Sequence, residues 1–106
     1  MKQLVRDAFV ANLRSGAYKQ GRFSMGSGPM NETMKPPCMC AAGVLADTLG
    51  ATWCMYREDT WVPTATRFQE ANVTLREECE LVQMNDKLGM TFPQIAEEVL
   101  KWECTS

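Results

Sequence analysis

Pro36-Pro37-Cys38-Met39-Cys40-Ala41-Ala42-Gly43-Val44-Leu45-Ala46-Asp47-Thr48-Leu49-Gly50 decides how the rest of the chain is read. Two prolines forbid a helix before this stretch, and a glycine is placed to stop one after it. Between them Cys38, Ala41, Ala42, Leu45 and Leu49 recur at helical offsets. Met39, Cys40 and Val44 make the other flanks apolar too, and Asp47 is the only charge. A helix apolar on nearly all sides has to be buried on nearly all sides. Residues 38–49 therefore read as the central helix of the core, with Ala41, Ala42 and Gly43 letting neighbouring backbones come close.

Upstream, Leu4, Val5, Ala8, Phe9, Ala11 and Leu13 share one broad face over residues 2–15. Lys2, Arg6, Asp7, Asn12 and Arg14 take the other, and Ser15-Gly16 closes the helix. Residues 17–25 read as extended chain or a short strand around Tyr18 and Phe23. Gly26-Ser27-Gly28-Pro29 breaks it, so 26–37 is predicted as a long surface loop, a kind that often carries function.

Downstream, Ala51–Arg57 is rich in β-formers and Trp61-Val62 begins a return strand that Pro63 cuts short. Phe68, Ala71 and Asn72 suit a short helix, although Thr64, Thr66, Val73 and Thr74 oppose it. Thr74-Leu75-Arg76-Glu77 is a capping box for a helix carrying Leu75, Cys79 and Val82, with Leu81 as a further candidate, to about Met84. Asn85–Gly89 reads as a turn. Thr91 caps a last helix with Pro93 in its first turn and Phe92, Ile95, Ala96, Val99 and Leu100 inward. The expected fold is one α+β domain over 1–106: about four helices, a short antiparallel strand pair, and the buried 38–49 helix at the centre.

With 106 residues, 45% hydrophobic and 23% charged, the composition is that of a globular domain. Such a chain buries roughly 65% of its unfolded surface, enough for one core without metal or disulfide staples. A net charge of −2 argues against general nucleic-acid binding and against docking on an anionic membrane. No stretch approaches the ~20 apolar residues of a membrane span, and the first residues lack the apolar core of a signal peptide. The expectation is a cytoplasmic protein whose five cysteines stay reduced.

The chemistry-bearing candidates are few. Cys38 and Cys40 have no second cysteine pair, and the chain has no histidine, so a zinc site is not expected and no cofactor is implied. A nucleophilic Cys38 or Cys40 would have only the start of the central helix to lower its pKa, with no base. Glu77, Glu78, Glu80, Glu97 and Glu98 have the periodicity of solvated helix faces. Tyr18, Lys19, Gln20 and Arg22 gather two cations, an amide and a ring around Gly21, a set able to hold a phosphate or stack a base. Trp53, Tyr56 and Arg57, with Trp61 and Arg67 nearby, form a second cluster of the kind enriched in interface hot spots and base-stacking pockets. Either cluster would serve equally as an ordinary turn or core.

Four stretches then carry a likeness. Leu13–Arg22 contains Ser15-Gly16-Ala17-Tyr18-Lys19-Gln20-Gly21, and Cys38–Asp47 contains Cys40-Ala41-Ala42-Gly43-Val44-Leu45. Met84-Asn85-Asp86 and Thr91–Glu97 follow. With these the chain resembles a family of small bacteriophage and prophage proteins. That family has an SGxYKQG turn, a cysteine-rich CxxGVLxD helix, an ND turn and an FxxIA helix. Met39 separates the family's adjacent cysteines here, and Ala46 stands where the family has a later one, so no metal or redox role carries over. The resemblance implies a phage-encoded, non-enzymatic binding protein, acting in the host cytoplasm against a bacterial defence system. Its partner would be a nucleotide second messenger, which it sequesters, or a host defence protein, CRISPR-type included, which it blocks. Self-association is compatible with either. The alternative from another class is a small enzyme with Cys38 or Cys40 as nucleophile.

Overall fold

The computed structural model describes residues 1–105. Helix α1 spans Gln3–Arg14, and Gly16 just beyond it adopts a left-handed φ of +77°, the conformation that ends a helix. Three two-residue strands follow: β1 Lys19–Gln20, β2 Gly26–Ser27 and β3 Cys38–Met39. Helix α2 is Ala41–Thr48. Strands β4 Trp53–Arg57 and β5 Thr60–Pro63 form a hairpin. Helix α3 Leu75–Val82 runs on into a π-helical turn over Gln83–Lys87, and α4 covers Phe92–Val99. The expected capping box of Thr74 with Glu77 is present, and the expected cap Thr91 forms a second box with Gln94.

The fold is α+β, as expected, but the sheet is larger than a strand pair. Five strands lie in the order β1-β3-β2-β5-β4, with β1 parallel to β3 and the other pairings antiparallel. Two corrections follow. The expected 26–37 loop begins with a sheet strand, because Gly26 and Ser27 pair with both β3 and β5. The central helix starts at Ala41 and not at Cys38, because Pro36-Pro37 holds the chain extended and Cys38-Met39 is taken up by β1 and β2.

The interior of α2 behaves as its composition requires. Ala41 through Ala46 are all buried, packed with Phe9, Leu13, Leu81, Ile95 and Val99. Gly43 faces the backbone of Met25 so closely that an added Cβ would collide with the Met25 carbonyl oxygen. Only a residue without a side chain fits there.

The sequence leaves 63–74 open between a short helix and none, and the structure decides it. No helix forms over 63–74; Phe68 and Ala71 are buried, but Arg67 and Asn72 sit at positive φ, which turns the chain instead of winding it. In α3 the buried face carries Leu81, followed by Met84 and Asn85 in the π turn. Of the apolar positions read for this helix Leu81 is buried, while Leu75, Cys79 and Val82 are exposed.

Gly43→Ala is therefore expected to cost about 3 kcal/mol or more, since backbone must move to admit the methyl group. Differential scanning calorimetry should show a melting temperature lower by more than about 10 °C. An unchanged melting temperature would show that α2 does not sit this close to Met25.

Candidate functional site

The turn after α1 is built locally. Ser15 Oγ donates to the Asn12 carbonyl and accepts from the Ala17 amide, so the chain reverses and delivers Tyr18 to the flank of α2. There the Tyr18 hydroxyl donates to Asp47 Oδ2 at 2.6 Å. Trp53 Nε1, at the start of β4, donates to Asp47 Oδ1 at 3.2 Å, and the Lys35 ammonium pairs with the same oxygen at 3.1 Å. Asp47, the lone charge of α2, thus joins one residue from each of the two clusters singled out in the sequence. Its side chain is 5% exposed, and Lys35 remains half exposed at 53%.

Tyr18, Lys35 and Asp47, but not Trp53, border an open cleft of about 430 Å³. Lys19 and Lys35 supply positive charge, Tyr18 an aromatic edge, Asn12 and Thr33 hydrogen-bonding groups, and Pro36 an apolar wall. The loop that carries Thr33 and Lys35 is fixed by Asn31, whose Oδ1 accepts from the Thr33 amide and whose Nδ2 donates to the Lys35 carbonyl. Lys19 has no ion-pair partner among the described residues. Since an ammonium has three donors, Lys35 keeps capacity for a ligand beside its bond to Asp47.

Burial and the contact with Asp47 push the Tyr18 phenol far above its usual range. Burial alone would raise Asp47, but the bonds from Tyr18, Trp53 and Lys35 outweigh it and hold the carboxyl below the ordinary carboxylate value. Asp47 is ionised and Tyr18 neutral across the physiological range.

The other candidates go elsewhere. Gln20 points away from the cleft and donates to Asn85 Oδ1 and to the Met90 carbonyl. The Arg22 guanidinium lies against Gly89. Tyr56 and Arg57 stack on each other, the guanidinium carbon 5.0 Å from the ring centroid. They end β4 about 13 Å along the strand from Trp53 and do not line the cleft. The structure therefore unites Tyr18, Lys19 and Trp53 and separates Gln20, Arg22, Tyr56 and Arg57 from them. Asp47 and Lys35 were missed; the signal for Asp47 was a single acid in an otherwise apolar helix.

Cys40 is the N-cap residue of α2 and is buried, while Cys38 is half-buried in β3, so the two do not share the helix start. Burial pushes the Cys40 thiol up, against the opposing pull of the Gly43 and Ala42 amides. Of the carboxylates expected on solvated faces, Glu77 is instead engaged twice, closing the capping box and pairing with the Met1 amino group at 2.9 Å. No three Cys, Asp or Glu side chains among the described residues are grouped to hold a metal ion. Among the described residues no helix is long and apolar enough to cross a membrane. No protein family, curated protein or solved structure shows a significant match to the chain.

Tyr18→Phe should cost about 1–2 kcal/mol in urea denaturation, as the hydrogen bond to a charged acceptor is lost. In an Asp47→Ala background the same change should cost little, and equal costs in both would rule out the coupling. Two limbs of the pH profile follow. Asp47, with its lowered folded pKa, contributes stability above the unfolded carboxylate pKa and loses it as pH falls through the folded value. Tyr18, with its raised folded pKa, contributes stability below the unfolded value of about 10 and loses it as pH climbs beyond that.

Proposed function

We propose that the protein is a non-enzymatic binding protein, phage-encoded, that counters a bacterial defence system by sequestering a nucleotide signal in the Tyr18–Lys35 cleft. The observation that carries this reading is the Asp47 junction. It fixes the Tyr18 ring while two lysines stand at the cleft with free donor capacity. Phosphates would meet Lys19 and Lys35, and a base or ribose would lie against Tyr18 and the Pro36 wall. The likeness to phage and prophage proteins supplies the biological setting. Three of the stretches that carry it, at Gln20-Gly21, Ala41 and Asn85-Asp86, converge on one hydrogen-bonded centre, which supports treating them as one unit. A buried, protonated Cys40 without a histidine in the chain favours binding over nucleophilic catalysis.

Thermal-shift measurements with cyclic dinucleotides and adenosine-diphosphate-ribose derivatives test the ligand class. A ligand selective for the folded state at about 100-fold excess over its dissociation constant adds about 2.7 kcal/mol, a shift of many degrees. Lys19→Glu with Lys35→Glu should abolish that shift. No shift with any nucleotide removes the sequestration reading. Plaque counts on hosts carrying defined nucleotide-signalled immunity systems test the setting: expression should restore plaquing, and Lys19→Glu with Lys35→Glu should not.

A further inference from the structure

Helix α3 turns its most apolar face to water. Leu81 is fully buried, yet Leu75 (75% exposed), Cys79 and Val82 (44% exposed), at helical offsets 0, 4 and 7, form a stripe on the outer side. With Glu78, Gln83 and Lys87 they line an open groove of about 310 Å³. A helical apolar period that the core does not use calls for a partner.

The rim identifies which partner. Glu78 lies in the first turn of α3, one turn in from Leu75, and Lys87 at the end of the π turn, so opposite charges stand on either side of Cys79 and Val82. Neither has an ion-pair partner among the described residues. The stretch from Glu78 to Lys87, with Cys79 and Val82 between a negative and a positive side chain, is its own complement once rotated by a two-fold axis through its centre.

We propose that this groove is the contact of an isologous homodimer in which α3 packs antiparallel on α3 of a second copy. Glu78 of each copy meets Lys87 of the other, Cys79 and Val82 fill the middle, and the two helix dipoles oppose each other. The segment from Leu75 to Lys87 is about 20 Å long. One helix face of that length falls well below the roughly 800 Å² per partner of a standard interface, so the dimer is weak and readily reversible. The proposal uses none of the cleft residues and stands whether or not a nucleotide binds.

Sedimentation velocity from roughly 5 to 500 µM tests it, with circular dichroism confirming that each variant stays folded. The wild type should pass from monomer toward dimer across this range. Glu78→Lys alone and Lys87→Glu alone should each weaken association about tenfold or more through like-charge contact, and the double swap should restore it to within about threefold. Val82→Glu should remain monomeric. A wild type that sediments as a monomer throughout overturns the proposal and leaves the groove to a different protein. A double swap as monomeric as its two single variants overturns it as well.

Discussion

Asn85 is the one fully buried polar side chain among the described residues, and each of its two polar atoms serves two partners. Oδ1 accepts from the Ala41 amide at 3.1 Å and from Gln20 Nε2 at 2.9 Å; Nδ2 donates to the Gly21 carbonyl and to Asp86 Oδ1, both at 2.8 Å. Cys40 gives α2 no side-chain cap, so the first amide of the most buried helix is satisfied from forty-four residues away. An apolar residue at 85 would strand that amide in the core and take the partner of the part-buried Gly21 carbonyl. Burying unpartnered backbone groups costs more than the hydrogen bonds themselves contribute.

The same amide sets the path of the turn after α1. Gln20 and Gly21 are bound to Asn85, and Asp86 in turn accepts the Phe23 amide, which holds Phe23 at a φ of +68° with its ring in solvent. Two residues before Gln20, Tyr18 reaches the other end of α2 and bonds to Asp47. One short segment is thus clasped at both ends of α2, an eight-residue helix about 12 Å long. The helix contributes an inert wall, and its two polar contacts hold in place the chain that borders the cleft.

Features legible in the sequence were those written in local chemistry. Gly16 stops α1, Thr74 and Thr91 cap their helices, and an all-round apolar α2 lies inside. The β4–β5 hairpin followed from β-branched and aromatic residues around a turn. Strand β1 lies within residues 17–25, which read as extended chain or a short strand, whereas β2 and β3 were invisible because two residues have no period and tertiary pairing alone makes them strands. Asn85-Asp86 carried turn chemistry and proved to be the continuation of α3 as a π-helical turn, a local form that no propensity announces. For α3, apolar spacing favoured Leu75, Cys79 and Val82, which have the helical period, yet of the four candidates only Leu81 is taken into the core. Of the site, the types of residue were readable and their partners were not, because Asp47 lies 29 residues from Tyr18 and six from Trp53.

Equilibrium urea unfolding of Asn85→Ala against the wild type tests the dependence on this buried amide most directly. The expected result is a loss of about 3 kcal/mol or more, since the buried Ala41 amide and the part-buried Gly21 carbonyl lose their partner and a cavity opens. A loss below about 1 kcal/mol would be the cost of an ordinary surface change and would contradict a fold organised around Asn85.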